Sequence, residues 1–467
     1  MGEQELMADI KLSDELRQKA SQKPTFNILY VGDGTSWLSL FRGNSLLKTF
    51  SEFYKNQANI TFMTAPSSKL ANLTLPELQT TNILWIDNVC DFKSAHKLSD
   101  LNQMLLELID KNWRKTASDL QQKNPDEATA YMNSLIAKRS EKLKIVYALD
   151  EFVWEAPVGR AHDIQSVQLV ETFLGLADTI VVPTAELKES INYYRFANNP
   201  DKDIAVIPSG VDIGFFPLFK NFSRTAVSST QLSDKPKVLI KGLAIPKNVE
   251  EFILENYKKM DITISSVDEV NEHIMGLIQQ QKVKHIYHWA NPYVNKSNML
   301  ATWSIERDQS FDFVIHTKPD NLVGNLYEVT TGDDDILFSI AYGAIPISGV
   351  NHLGYDEDSS HLSQSCGLSF GKDTTAKALR ELIGSHQVAV KWNEVYNNCR
   401  SKIEHRLVTA PYILSRYFAV LLGRELSFAR AQIANEINTK MESAPQAEAT
   451  PTTNANVIQG NFKGTQS

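Results

Sequence analysis

Cysteine is scarce in this chain, with three residues in 467, and Cys90, Cys366 and Cys399 lie far apart. An odd, scattered set fits neither a disulfide framework nor a zinc ligand set, and it reads as reduced thiols. Long apolar runs are missing too. No stretch reaches the 18 or more residues of a membrane span, and the start "MGEQELMADIKLSDELRQKASQK" is polar, so a cytoplasmic location is expected. Gly2 follows Met1, but Leu6 stands where a myristoylation signal needs Ser or Thr, which excludes that anchor. Positive charge is not in excess. Lys plus Arg number 47 against 55 for Asp plus Glu, a formal charge of −8, which gives no broad field for phosphate backbones or anionic lipid.

What is present describes a folded chain. Hydrophobic residues make up 42% and charged residues 22%, a globular composition, and the length suits two domains with extras. Six apolar runs, in "TFNILYVG", "NITFMT", "TNILWID", "KIVYALD", "DTIVVPT" and "DIAVIPS", each end in turn or polar residues. Helical spacing separates most of them, so the expected sheet is parallel and covered on both faces. The pattern restarts with "VLIKGL", "DITISS", "VKHIYHW", "FDFVIHT" and "AIPISGV". Between the two sets, "IAVIPSGVDIGFF" places a rigid Pro-Ser-Gly turn where the first sheet closes.

The expected fold class is therefore α/β, with two Rossmann-like parallel-sheet domains and C-terminal helices. The expected boundaries are a polar leader over 1–23, a first domain over 24–220 with a helical insertion at about 93–143, and a linker over 221–236. A second domain follows over 237–389, then helices over 390–441 and a disordered tail over 442–467. In open α/β sheets ligands bind at the carboxyl ends of the strands, so two such domains form a cleft.

Several residues invite function and each has a plainer alternative. "GDGTSW", with Gly32, Gly34 and Thr35, is either a glycine loop approaching a ligand or an ordinary strand-to-helix turn. Arg42 either reaches an anion from the following helix or lies on the surface. His285 and His288 sit at i, i+3 in a strand, on opposite faces, and so do not share an ion; no metal site is expected. His316 with Lys318 ends a strand. Asp333, Asp334 and Asp335, after Gly332, either hold a divalent cation or simply open a helix. Trp85, Trp154 and Trp289 lie near strand ends, where they stack on a ligand or fill the core.

Four segments carry a resemblance. "ADTIVVPTAELKESI" followed by "IAVIPSGVDIGFF" resembles the end of the N-terminal domain in retaining, nucleotide-sugar-dependent glycosyltransferases of the GT-B fold, where the second strand ends Pro-Asn-Gly-Val-Asp; Ser209 replaces the Asn. "KIVYALDEFVWEAP" resembles a strand, acidic pair, aromatic and Pro element of a subset of these enzymes. "KVLIKGLAIPKNVEEFI" is similar to the first strand and helix of their nucleotide-sugar domain. "FDFVIHTKPDNL" and "DDDILFSIAYGAIPISG" are similar to its later strand, donor helix and small-residue turn. The matches run from about Asn27 to Ser348.

The resemblance implies a hexosyl- or pentosyltransferase that moves a sugar from a nucleoside-diphosphate sugar to an acceptor, which is a glycan, a protein or a modified nucleic acid. It implies no required cofactor, with room for a divalent cation. Asp150 and Glu151 would lie near the transferred sugar as the catalytic candidates, unless they only cap a turn and meet solvent. Lys241, Gly242, Lys247, His316, Lys318, Gly332 and Asp333 to Asp335 would form the donor side, and Gly32, Gly34, Thr35 and Arg42 the acceptor or loop side. The chain departs from the family pattern at Leu243, where an arginine is usual, and at Thr330 and Phe338, where glutamates are usual. These departures support the alternative expectation, a glycosyltransferase-like binding or structural protein without transfer chemistry.

Overall fold

The computed structural model describes residues 25–32, 45–54, 59–87, 91–149, 154, 164–196, 202–208, 210, 235–242, 245–266, 270–287, 311–317, 334–341, 343–348, 367–369, 374–403, 406 and 411–422. The first set of elements runs β1 (Thr25–Gly32), α1 (Ser45–Tyr54), β2 (Asn59–Pro66), α2 (Leu75–Gln79), β3 (Ile83–Asp87), α3 (Phe92–Ile109), α4 (Trp113–Lys123), α5 (Pro125–Lys142), β4 (Lys144–Ala148), α6 (Ile164–Leu176), β5 (Thr179–Val182), α7 (Ala185–Arg195) and β6 (Asp203–Val206). The six strands pair in parallel in the order β2-β1-β3-β4-β5-β6. All five residues of β3 and all four of β5 are buried, as strands covered on both faces require.

Helix starts follow local chemistry. Asp91 accepts from the Ser94 backbone N–H at 2.9 Å to open α3, and Thr184 accepts from Leu187 N–H at 3.2 Å to open α7. Asn124 caps α5, whose first residue is Pro125, the position where a missing N–H costs nothing. Where the sequence predicts an insertion, the chain forms the three helices α3, α4 and α5.

The second set runs β7 (Lys237–Gly242), α8 (Lys247–Asn256), β8 (Asp261–Ser266), α9 (Glu272–Gln279), β9 (Lys284–Tyr287), β10 (Phe313–Thr317), α10 (Asp334–Ala341), β11 (Ile345–Ser348), β12 (Leu368–Ser369), α11 (Ala376–Ser385), α12 (Ala389–Ile403) and α13 (Pro411–Leu422). These strands are also parallel, in the order β12-β11-β10-β7-β8-β9. All eleven expected strands are present. The twelfth, Leu368–Ser369, is two residues long and carries no readable periodicity.

Each sheet has its own core. Leu29, Val31, Leu84, Ile86, Ile145 and Tyr147 pack with α3, α6 and α7 residues around the first. Val238, Ile240, Ile262, Ile264, Phe313 and Ile315 pack with α8, α10, α11 and α12 residues around the second. Trp392 of α12 donates to the Asp312 carbonyl at 3.2 Å, and the Tyr396 hydroxyl donates to the Ile340 carbonyl at 3.1 Å, so α12 belongs to the second sheet. The next helix returns to the first. Tyr417 of α13 stacks on Trp85 of β3 with ring centroids 5.4 Å apart, Arg416 donates to the Val206 carbonyl at 3.3 Å, and Lys144 donates to the Val420 carbonyl.

Candidate functional site

Strand order locates the crevice of each sheet. In the second, β8 lies on one side of β7 and β10 on the other, so the order reverses between β7 and β10. Counted from β7, this is the order 3-2-1-4-5-6 read from one edge, the arrangement whose reversal point receives phosphates in dinucleotide-binding folds. The residues at that point are Lys241 and Gly242 on β7 and His316 and Thr317 on β10, and they are register partners.

Alternation along the strands decides which side chains meet. Val238, Ile240, Phe313 and Ile315 enter the larger core, whereas Leu239 and Val314 join Phe311 and Ala344 in a smaller one. The next residues on that second face are Lys241, His316 and, across β8, Ser265, which is also in register with Lys241. An apolar face thus turns into a polar row at the carboxyl edge. Lys241 is 6% exposed, His316 3% and Ser265 0%. The His316 Nε2 and Ser339 Oγ lie 2.9 Å apart, which ties the end of β10 to α10. The Thr317 hydroxyl donates to the Lys241 carbonyl at 3.3 Å.

Gly242 is required by this contact. A Cβ built on it would stand 2.1 Å from the Thr317 carbonyl oxygen and 2.3 Å from its Oγ1, so only glycine lets the two strand ends lie this close. Lys247 is exposed at the first position of α8. A cation at a helix N-terminus opposes the dipole, an arrangement that an anion between them reverses. Asp334 and Asp335 begin α10. The turn after that helix is made by Gly343 at φ 88°, whose N–H donates to the Ile340 carbonyl at 2.9 Å.

In the first sheet β2 and β3 flank β1, so the reversal lies between β1 and β3. Gly32 ends β1, as expected of the glycine turn, and Asp87 ends β3. Asp87 is 3% exposed, and its Oδ2 accepts from the Tyr30 hydroxyl at 2.5 Å. Trp154 is buried, stacked on Tyr194 at 5.3 Å and donating to Glu171 at 3.2 Å. Trp85 is buried under α13, so both tryptophans serve packing. His285 lies on the edge strand β9, separated from β7 by β8, and burial lowers its pKa.

The structure therefore brings together Lys241, Gly242 and His316, with Lys247 opening the helix that follows. Asp150, Glu151, Lys318, Gly332, Asp333, Gly34, Thr35 and Arg42 lie outside the described residues, as do the side chains of Asp334 and Asp335. Sequence reasoning missed Ser265, Ser339 and Asp87. For Asp87 the signal was an acid closing the apolar run "NILWID"; for the serines there was none, because a serine near a strand end is commonplace. Among the described residues no group of three or more His, Cys, Asp or Glu side chains is placed to hold a metal ion, and no helix is long and apolar enough to cross a membrane.

No family model and no curated protein matches the chain. Among solved structures it is similar to a glycosyltransferase from Rickettsia africae ESF-5, at 14% identity over 89% of this chain and 99% of that one, with a TM-score of 0.39. It is similar to Anabaena HepE in complex with UDP and glucose, at 11% identity over 90% and 100%, TM-score 0.42. A UDP-forming α,α-trehalose-phosphate synthase from Burkholderia vietnamiensis aligns at 11% identity over 86% and 98%, TM-score 0.42. On its own topology, two parallel Rossmann-like sheets with a last helix returned from the second to the first, the chain has the two-domain GT-B fold.

Proposed function

We propose that this protein is a glycosyltransferase that takes a nucleoside-diphosphate sugar as donor. The observation that carries the reading is the polar row at the reversal point of the second sheet, where Lys241 and His316 lie side by side beside a glycine that admits no Cβ. Transfer of a sugar places negative charge on the departing diphosphate, and fixed cations or helix N-termini stabilise it there. Lys247 at the start of α8 adds a second cation at the same edge, and His316 is tied to α10 through Ser339, the sixth residue of that helix. The second domain, over 237–389, is then the donor side and the first, over 24–220, the acceptor side. Asp150 and Glu151 remain the candidates beside the transferred sugar, and the chain acts in the cytoplasm.

The test is a thermal-shift series with UDP, GDP, ADP and TDP, each with and without Mg²⁺ or Mn²⁺, on the wild type and Lys247→Ala. A ligand held at about 100 times its Kd stabilises by about 2.7 kcal/mol. One nucleotide is expected to raise the melting temperature, and the exposed Lys247→Ala variant to lose part of that rise. If a folded wild type responds to none of the four, the donor reading fails and the scaffold without transfer chemistry takes its place.

A further inference from the structure

The amino edge of the first sheet holds a pocket, opposite the crevice. Asn82 and Leu143, the residues that lead into β3 and β4, line a space of about 370 Å³, a volume in the range of small-ligand sites. Crevices of such sheets open at the carboxyl ends of the strands, so this pocket is separate from the candidate site. Buried Leu78, Leu105 and Leu143 give it an apolar floor, and Leu108, 57% exposed, stands at its mouth.

Three helices end on this pocket. Their last residues, Gln79 of α2, Ile109 of α3 and Lys142 of α5, all belong to its lining, and helix C-termini carry carbonyl groups and negative partial charge. The last turn of α5 meets its own dipole with Arg139 and Lys142. The 18-residue α3 has no basic residue in its last turn and closes on Asp110, an acid where the dipole favours a cation. Glu107 of that turn pairs with Arg114 of α4 at 3.0 Å, and Asp110 takes the Tyr131 hydroxyl at 2.6 Å and the field of Lys138.

Two opposite charges on the lining are left for a ligand. Glu141 and Lys142 are exposed there, and neither has a partner among the described residues. Arg139 also lines the pocket, but Asp178 takes its charge through bonds of 2.7 and 2.9 Å. An apolar floor with a carboxylate, an ammonium and a helix C-terminus around it matches a small zwitterion with an apolar body.

We propose that this pocket binds a free α-amino acid with an apolar side chain, its ammonium at Glu141 and the end of α3, its carboxylate at Lys142, and its side chain over Leu78, Leu105 and Leu143. The site goes beyond the transferase reading and does not depend on it. A ligand held at the amino edge is an effector and not a reactant, because the reacting groups belong at the opposite edge.

The experiment is saturation-transfer NMR titration of L-leucine, L-methionine and L-phenylalanine, without nucleotide, against wild type, Leu108→Trp, Glu141→Gln and Lys142→Met, each checked for folding by thermal melting. L-Serine, isopentylamine and isocaproate serve as ligands that lack the apolar body, the carboxylate and the ammonium in turn. At least one apolar amino acid is expected to bind the wild type, and the three incomplete ligands more weakly. Leu108→Trp closes the mouth and should abolish binding. Glu141→Gln and Lys142→Met each remove one exposed charge pair and should weaken binding about two- to fivefold. No binding of the three amino acids by the wild type, equal binding of leucine and either of its fragments, or full affinity in Leu108→Trp overturns the proposal. If Leu108→Trp does not fold, the two charge variants decide, with unchanged affinity in both counting against the site. No nucleotide is present, so the outcome is independent of the donor reading.

Discussion

Gly242 and Thr317, register partners at the ends of β7 and β10, approach so closely that a Cβ on the glycine would stand 2.1 Å from the threonine carbonyl oxygen. Backbone is on both sides of this contact, so a Gly242→Ala variant has to separate the strand ends. Overpacking of this kind costs about 1–3 kcal/mol. The expected outcome is a lower urea midpoint together with loss of the nucleotide-induced thermal shift. Retention of the full shift would detach the glycine from the donor site.

Asp178 sets a second expectation. It takes two bonds from Arg139, at 2.7 and 2.9 Å, one from Ser140 Oγ at 2.5 Å and one from the Ile145 N–H at 2.7 Å. The side chains of Arg139 and Asp178 are 4% and 8% exposed. Removing one partner strands a buried charge, so Asp178→Ala is expected to cost about 3–5 kcal/mol, read as a shift in the denaturant midpoint. Replacing both partners with apolar residues should cost less than either single change.

Lys202 lies in the same region and gives a pH signature. Burial is the main cause that lowers its pKa from 10.5 to about 8. Between about pH 8 and 10.5 the unfolded chain holds a proton on this group that the folded chain has released, so stability rises with pH across that window. Lys202→Met removes this titrating group. Measured from pH 7 to 10.5 by denaturant unfolding, the wild type should gain stability relative to the variant, and a constant gap would refute the assignment.

Glu77 titrates in the opposite sense. It bonds the Thr74 N–H at 2.8 Å in a capping box and pairs with Lys69 at 2.6 Å. The Lys69 hydrogen bond leads the causes that lower its pKa from 4.5 to about 2. Its stabilisation is full above about pH 4.5 and fades as pH falls toward 2. The side chain is 40% exposed, so Glu77→Gln is expected to cost only about 0.5–1 kcal/mol at pH 7, and the difference should vanish near pH 2.

The return of α13 to the first sheet is tested by Tyr417→Ala. Tyr417 is 1% exposed and stacked on Trp85, and emptying such a site costs about 3–5 kcal/mol. Limited proteolysis should show earlier cleavage of the first domain in the variant, with the second domain unaffected. Equal loss in both would mean that α13 belongs to neither sheet in particular.

Much of this architecture is legible in the chain itself. Most of the eleven longer strands are short β-branched or aromatic runs closed by Gly, Pro, Asp or Ser, and a strand buried on both faces has to be written that way. The caps at Asp91, Asn124 and Thr184 are local signals as well. The glycine of "LIKGL" and the lysine before it were readable as a strand end. Trp85 and Trp154 were not decided by sequence, because a tryptophan near a strand end packs or stacks on a ligand according to what lies opposite. Opposite Trp85 is a tyrosine 332 positions later in the chain.

The sequence alone determined the periodicities, the turns and hence two parallel α/β sheets, because these depend on residues a few positions apart. Tertiary structure decided the strand orders, since β10 inserts beside β7 and β3 beside β1 through contacts that no local pattern encodes. It also decided that Lys241, Ser265 and His316 form one row and that Tyr30 holds Asp87. Register is the physical reason. In a parallel sheet a shift of one residue sends every side chain to the opposite face, so which chemistry meets is set by pairing across the sheet and not along the chain.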